Sequence, residues 1–76
     1  MFRVYYSLEG QSFGREFLTL DLALSFAEDD AGAVTVVDSD GVHTIRRFQF
    51  RNGTLTSYEV NRNGRMVDLL NKENAA

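Results

Sequence analysis

Hydrophobic and polar residues alternate from Phe2 to Leu8 with the period of two that is typical of a half-buried β-strand. The pair Glu9-Gly10 predicts a turn, and residues 11–18 predict a returning strand that Gly14 weakens. The sequence therefore begins with a predicted β-hairpin.

Apolar residues then recur with helical spacing between residues 20 and 31. Thr19 has the side chain of a helix N-cap, and Gly32 is a typical stop after the C-terminus. Glu28, Asp29 and Asp30 fall in the last turn, where a negative charge opposes the helix dipole at a cost of up to about 1 kcal/mol each. This acidic end is either simply the polar end of a surface helix or a contact for a basic partner.

The rest of the chain is divided by three turn signals, Asp40-Gly41, Asn52-Gly53 and Asn63-Gly64, into segments of strand length. We therefore predict an α+β fold in which an antiparallel sheet, a hairpin followed by a four-stranded meander, carries one helix on one face. Residues 1–70 form the predicted single domain, and residues 71–76 form a predicted frayed tail.

Two-residue loops at these turns would fix which residues face each other. Val36 would lie opposite Ile45, Val34 opposite Arg47, and Arg47 opposite Tyr58. Val60 would face Val67, and Tyr58 would face Leu69. The apolar face predicted to lie under the helix contains Val34, Val36, Ile45, Tyr58, Val60, Val67 and Leu69.

The same register sends Phe48, Phe50 and Leu55 to the opposite face together with Arg46. Two explanations remain open. A β-bulge at Arg46-Arg47 would shift the register by one residue and return both phenylalanines to the core. Without the bulge they form an exposed apolar patch, which usually marks an interaction surface or a dimer interface.

The composition limits the class of protein and its location in the cell. The chain has 76 residues, of which 43% are hydrophobic, as expected for one small globular domain. It contains no apolar run near the roughly 20 residues that cross a bilayer, and its N-terminus does not resemble a signal peptide. Cysteine is absent, which excludes disulfides and thiolate metal sites and favours the cytoplasm.

Charge is distributed unevenly along the chain. Residues 1–40 carry two arginines and eight acidic residues, a net charge of −6, whereas residues 41–76 carry a net charge of +3. These segments either keep the protein soluble or form two binding surfaces. The candidate acidic contacts are Glu28, Asp29, Asp30, Asp38 and Asp40, and the candidate contacts on the alternative face are Arg46, Arg47, Phe48, Phe50 and Arg51.

Catalytic patterns are hard to find. His43, the one histidine, would face Asp38 across a hairpin, but no cysteine or serine nucleophile is placed to complete a triad. The glycines form no phosphate-binding loop, and Asp38, Asp40 and Gly41 lack the remaining ligands of a calcium loop. We expect a protein without enzymatic activity, cofactor or metal.

Nucleic acid is an alternative partner. Aromatic residues that alternate with arginines on a strand can stack on bases while guanidinium groups bind phosphates. Phe48 and Phe50, with their flanking arginines, have this composition. The net charge of −3 argues against it, since nucleic-acid-binding domains are usually basic.

The order of predicted elements, ending in Asn63-Gly64-Arg65-Met66-Val67-Asp68, resembles the small α+β anti-CRISPR proteins of phages that act on type I systems. The segment Leu20 to Ala27 is also similar to helices of many short phage and mobile-element proteins. The resemblance implies a cytoplasmic inhibitor that binds a subunit of a CRISPR-Cas surveillance complex. Its acidic residues would then imitate phosphates on a basic surface of that partner. Two hypotheses compete with this one: a single-stranded nucleic-acid binder, and a homodimer built through the Phe48 and Phe50 surface.

Overall fold

The structure is a computed structural model that describes residues 2–70. The predicted frayed tail, residues 71–76, lies outside the described residues. The elements in chain order are β1 (Phe2–Leu8), β2 (Gln11–Phe17), α1 (Leu20–Asp29), β3 (Ala33–Ser39), β4 (Thr44–Arg51), β5 (Thr54–Arg62) and β6 (Arg65–Asp68).

All six strands form one antiparallel sheet in the order β2-β1-β3-β4-β5-β6. The helix connects β2 to β3 and packs mainly on β1, β2 and β3. The predicted class, an α+β protein with an antiparallel sheet and one helix, is confirmed. β1 lies between β2 and β3, so it joins the first hairpin to the later strands.

The helix begins where the sequence predicts and ends earlier. The Thr19 hydroxyl accepts a hydrogen bond from the Leu22 N–H at 3.2 Å, which confirms the N-cap. The helix ends at Asp29, because Asp30 is extended and its carboxylate accepts a hydrogen bond from the Gly32 N–H at 2.8 Å. Gly32 does not have the left-handed conformation of a glycine C-cap. The helix is instead followed by an Asx turn formed by the Asp30 side chain.

Three of the four turns have the two-residue form expected of tight hairpins. In Glu9-Gly10, Asn52-Gly53 and Asn63-Gly64 both residues have positive φ angles, as type I′ turns require. Asp40-Gly41 differs, because Ser39 lies opposite Thr44 and four residues form the loop. The Asp40 carboxylate stabilises this wider loop by accepting hydrogen bonds from two backbone N–H groups.

The wider loop changes the register between β3 and β4. Asp38 lies opposite Arg46 and Ser39 opposite Thr44, which leaves Ile45 as an extra residue in β4. Val36 therefore faces Phe48 and Val34 faces Phe50. The predicted pairs Val36–Ile45 and Val34–Arg47 are wrong, because they assumed a two-residue loop and no bulge: the loop shifts the register by two residues and Ile45 shifts it by one more.

A second irregularity lies between β4 and β5. Gln49 pairs with Ser57 and Phe50 with Leu55, so that Thr56 is the extra residue. This shift places Arg47 opposite Glu59, and the predicted pair Arg47–Tyr58 is wrong.

The last hairpin follows the predicted register. Val60 pairs with Val67, which confirms that prediction. Beyond the paired residues, the Leu69 N–H donates a hydrogen bond to the Tyr58 carbonyl at 2.7 Å.

The core lies between the helix and the sheet and includes both phenylalanines of β4. Phe48 and Phe50 are 8% and 6% exposed, and the Phe48 ring stacks on Tyr58 at 4.9 Å. Ile45, which was predicted to lie under the helix, is exposed at the bulge. The buried hydrophobic residues are Val4, Ala23, Ala27, Val34, Val36, Phe48 and Phe50.

Candidate functional site

The last turn of the helix carries the candidate acidic contacts at one end of the sheet. Glu28 and Asp29 are exposed, whereas Asp30 is partly buried and bound to the Gly32 N–H. The helix terminates at the end of the sheet where β1 finishes and β3 begins, and Glu9 lies in the β1–β2 turn at that same end. We call Glu9, Glu28, Asp29 and Asp30 the acidic end.

The β4–β5 turn packs against this helix end. The Asn52 N–H donates a hydrogen bond to the Gly32 carbonyl at 3.1 Å. A Cβ atom on Gly53 would lie 2.5 Å from the Glu28 carbonyl oxygen, so only glycine allows this approach. The backbone that presents the acidic side chains is therefore supported by a second element.

Asp38 and Asp40 lie far from the acidic end. β3 begins beside the helix terminus and runs to Ser39, a length of about 20 Å at roughly 3.3 Å per residue. The two aspartates are therefore at the opposite end of the sheet. The structure does not bring the five predicted acidic contacts into one patch.

Asp38 and Asp40 also have partners within the chain. The Asp38 carboxylate, largely buried, accepts a hydrogen bond from the Arg46 Nε at 2.9 Å and forms an ion pair with the same guanidinium, whose Nη2 lies 2.8 Å away. The Asp40 carboxylate accepts from the Val42 and His43 N–H groups at 2.8 and 2.7 Å. These backbone donors, first that of His43, lower the pKa of Asp40.

A two-residue loop was predicted to place the His43 side chain opposite Asp38, but in the structure His43 does not face Asp38. Its Nδ1 lies 3.8 Å from Asp40, and the ring is largely exposed at the loop. The prediction is wrong for the same reason as the register, since the loop has four residues.

The arginines of β4 are held by acidic partners on neighbouring strands. Arg47 makes a two-point contact with Glu59, with distances of 2.9 and 2.8 Å. The guanidinium of Arg46 binds Asp38 and lies 5.8 Å from the centre of the Phe48 ring. These carboxylates raise the pKa of both arginines. Arg51, at the end of the strand, is exposed.

This pairing changes the interpretation of the arginine-rich strand. Its two rings are buried and cannot stack on bases, and two of its three arginines already bind carboxylates. Sequence reasoning missed both ion pairs because the acidic partners lie 8 and 12 residues away and depend on the register. The first pair needs both the four-residue loop and the extra residue Ile45, since the loop alone would place Asp38 opposite Ile45.

Arg15, on the edge strand β2, has two aromatic partners that the sequence did not indicate. The Arg15 guanidinium lies 5.1 Å from the centre of the Phe17 ring and 5.6 Å from that of Phe26.

The exposed face of the sheet contains a shallow depression of about 330 Å³ lined by Arg3, Tyr5, Val37, Ser39, Gly41 and Thr44. Arg3 forms an ion pair with Glu16 beside it.

Within residues 2–70, no group of three or more histidine, cysteine or acidic side chains is placed to hold a metal ion. The helix in this part of the chain, ten residues long, is too short to cross a membrane.

Comparison of the chain with protein-family models, curated proteins and solved structures gave no match. The geometry of the acidic end and the uneven charge of the chain are therefore the structural basis for a functional proposal.

Proposed function

We propose that this protein is a noncatalytic, cytoplasmic inhibitor whose acidic end occupies a basic surface of a nucleic-acid-handling complex. The most concrete partner is a subunit of a type I CRISPR-Cas surveillance complex, as the resemblance to phage anti-CRISPR proteins implies. The inhibitor would compete for lysines and arginines that otherwise contact phosphates.

The observation that carries the proposal is the exposure of Glu28 and Asp29. Among residues 2–70, neither carboxylate forms an ion pair, whereas three arginines are paired with other carboxylates. The two charges also lie at the helix C-terminus, where the dipole already has its negative end. Their position adds negative potential and is unfavourable for the helix itself, which a binding role would explain.

Electrostatics favours this end of the molecule as the contact. Concentrated negative charge accelerates association with a basic surface and becomes less effective as salt rises. Asp38 contributes little, because Arg46 neutralises it, and Asp40 lies at the opposite end of the sheet. The proposal therefore uses the acidic end and omits these two residues.

The mechanism is occlusion. The β4–β5 turn holds the helix end in place through Gly53 and the Asn52 N–H, so binding orders little additional backbone. Once the carboxylates contact the partner's basic residues, the body of the domain excludes nucleic acid from the same surface.

The test compares two variants with the same change in net charge. Glu28→Gln with Asp29→Asn removes two negative charges at the acidic end. Leu18→Lys with Val42→Lys adds two positive charges at exposed positions near the other end of the sheet. Both variants should retain the fold, which circular dichroism would verify.

Binding is measured against purified type I surveillance complexes, with DNA binding by each complex as the second readout. We expect the acidic-end variant to bind at least tenfold more weakly and the control to remain within about threefold of the original protein. Equal weakening of both variants would reject the acidic end as the contact. No binding of the original protein to any type I complex would reject this partner.

A further inference from the structure

Within residues 2–70, no strand pairs with the outer side of β2, which leaves this edge of the sheet open. β2 spans seven residues, Gln11–Phe17, and its first six residues are exposed. At the other edge, β6 spans only four residues. Long unpaired edge strands are templates for pairing with another chain, and proteins usually shorten or block them.

The hairpin geometry identifies the backbone groups that face outward. Leu8 and Gln11 flank a two-residue type I′ turn and therefore form a hydrogen-bonded pair. Pairs of this kind alternate along the hairpin, so Ser12, Gly14 and Glu16 direct their N–H and carbonyl groups away from β1. The open edge thus offers three donors and three acceptors.

The side chains of β2 leave this edge accessible. Glu16 pairs with Arg3 on β1, and Arg15 lies over the rings of Phe17 and Phe26. Gly14 has no side chain, and the Tyr5 ring lies beside it on the sheet face. No lysine or proline on β2 blocks pairing.

We propose that β2 binds a second copy of this chain, antiparallel, with Gly14 on the two-fold axis. Each Ser12 then lies opposite Glu16 of the second copy, and each Gly14 lies opposite its equivalent. All three outward-facing residues form hydrogen-bonded pairs, giving six backbone hydrogen bonds across the interface. The two sheets become one continuous sheet.

This register is favoured over its neighbours by hydrogen bonding and charge. A two-residue slip in either direction loses one of the three hydrogen-bonded pairs. One of those slips also places Arg15 opposite its own equivalent, which is repulsive. In the proposed register Arg15 instead lies opposite Phe13 of the second copy, a favourable cation–aromatic pair. Phe13 already stacks on Tyr6 at 5.5 Å, which orders the ring.

The interface is separate from the acidic end, because it lies along the side of the sheet. It also differs from the dimer predicted through Phe48 and Phe50, whose rings are buried. The open edge therefore carries this proposal independently of the proposed inhibitor function.

The first test uses the charge of Glu16 to report the register. Ser12→Glu places two carboxylates opposite each other, whereas Ser12→Lys places an ammonium group opposite the carboxylate. Ser12 faces Ser7 within the monomer, so neither change disturbs an ion pair there. Sedimentation equilibrium should show a dimer for the original protein, a dissociation constant raised at least tenfold by Ser12→Glu, and one lowered severalfold by Ser12→Lys.

A monomeric mass for the original protein at about 1 mM would overturn the proposal, and so would equal effects of the two substitutions. Dimerisation that neither substitution changes would place the second copy on another surface.

The absence of cysteine permits a second test by crosslinking. Gly14→Cys places two thiols near the axis, with Cα atoms about 5.5 Å apart, within the range that a disulfide spans. A Cβ atom at Gly14 makes only ordinary contacts with Tyr5, at 3.5 Å. The control, Ser12→Cys, places its thiols about 13 Å apart, four residues along the strand. Rapid oxidation of Gly14→Cys alone supports the register, and equal or faster oxidation of Ser12→Cys contradicts it.

Discussion

Asp38 and Arg46 face each other across β3 and β4, and their ion pair shows how single residues decide the character of a strand. Asp38 is the one buried charged or polar residue of the described chain, and its carboxylate accepts a hydrogen bond from the guanidinium and forms an ion pair with it. Arg46 in turn covers part of the Phe48 ring. The arginine therefore helps to close the core and is poorly placed for an external phosphate.

Replacing Arg46 by alanine should destabilise the fold by about 1–2 kcal/mol, because the largely buried Asp38 carboxylate loses its partner. Arg51→Ala, on the same strand but exposed and outside the described ion pairs, should remain within about 0.5 kcal/mol. Urea unfolding measures both. Equal losses in the two variants would contradict a structural role for the Asp38–Arg46 pair.

Asp40 gives the loop a dependence on pH. Its pKa is lowered in the folded protein by the His43 and Val42 N–H groups, so its contribution to stability is present above its usual pKa near 4 and is lost as pH falls below it. Asp40→Asn keeps an acceptor oxygen but cannot titrate. Unfolding free energies measured from pH 7 to pH 2 should therefore fall less steeply in this variant. An unchanged slope would show that the loop does not hold the carboxylate as described.

At the scale of elements, the sequence predicted well wherever a local signal determined the geometry. Thr19, Asn52-Gly53 and Asn63-Gly64 each specify a cap or a turn through their own side chains and backbone preferences, and all three were predicted correctly. Asp40-Gly41 looks the same in the sequence. Its carboxylate instead accepts hydrogen bonds from residues two and three positions later, which opens the loop.

The wider loop shifts the register by two residues, which alone keeps each side chain on its face, and a bulge shifts it by one more, which brings both phenylalanines into the core. The sequence left both placements open and located the required bulge at Arg46-Arg47. The structure places the extra residue at Ile45, immediately before them. Glu28, Asp29 and Asp30 were predicted as acidic contacts from their position at the helix end, whereas Glu9 was not. The separation of Asp38 from them depends on which way β3 runs, a property of the whole sheet.

The contact between the β4–β5 turn and the helix can be tested with glycine substitutions. Gly53→Ala should cost at least about 2 kcal/mol, because its φ is +78° and its Cβ would approach the Glu28 carbonyl to 2.5 Å. Gly64→Ala has a similar φ of +82° and open space around it, and should cost only about 1 kcal/mol. The difference in unfolding free energy reports the contact, and equal costs would argue against it.

At the scale of the whole molecule, a small number of side chains carries the core. Seven hydrophobic residues among those described are buried, and Val36 on the central strand β3 is fully enclosed. A chain of this length typically has a total stability of roughly 4–11 kcal/mol. Each core residue is therefore a considerable part of the total.

Val36→Ala should lower the free energy of unfolding by about 2–3 kcal/mol, since it removes two methyl groups and leaves a cavity beside Phe48. The same substitution at Val42, which is exposed in the loop, should change it by less than about 0.5 kcal/mol. Thermal and urea unfolding provide the comparison. A small loss at Val36 would mean that the core can close around the cavity.

The position of β1 inside the sheet has a consequence for the order in which the strands can pair during folding. β1, β2, α1 and β3 are consecutive in the chain, and the helix packs mainly on those three strands. Because none of these pairings needs a residue beyond Ser39, this half of the sheet can form before β4 pairs with β3. β4, β5 and β6 then add in turn to the edge left by the preceding strand, so each late pairing is with the nearest neighbour in the sequence. Pairing in this order limits the time for which each new edge remains open to other chains.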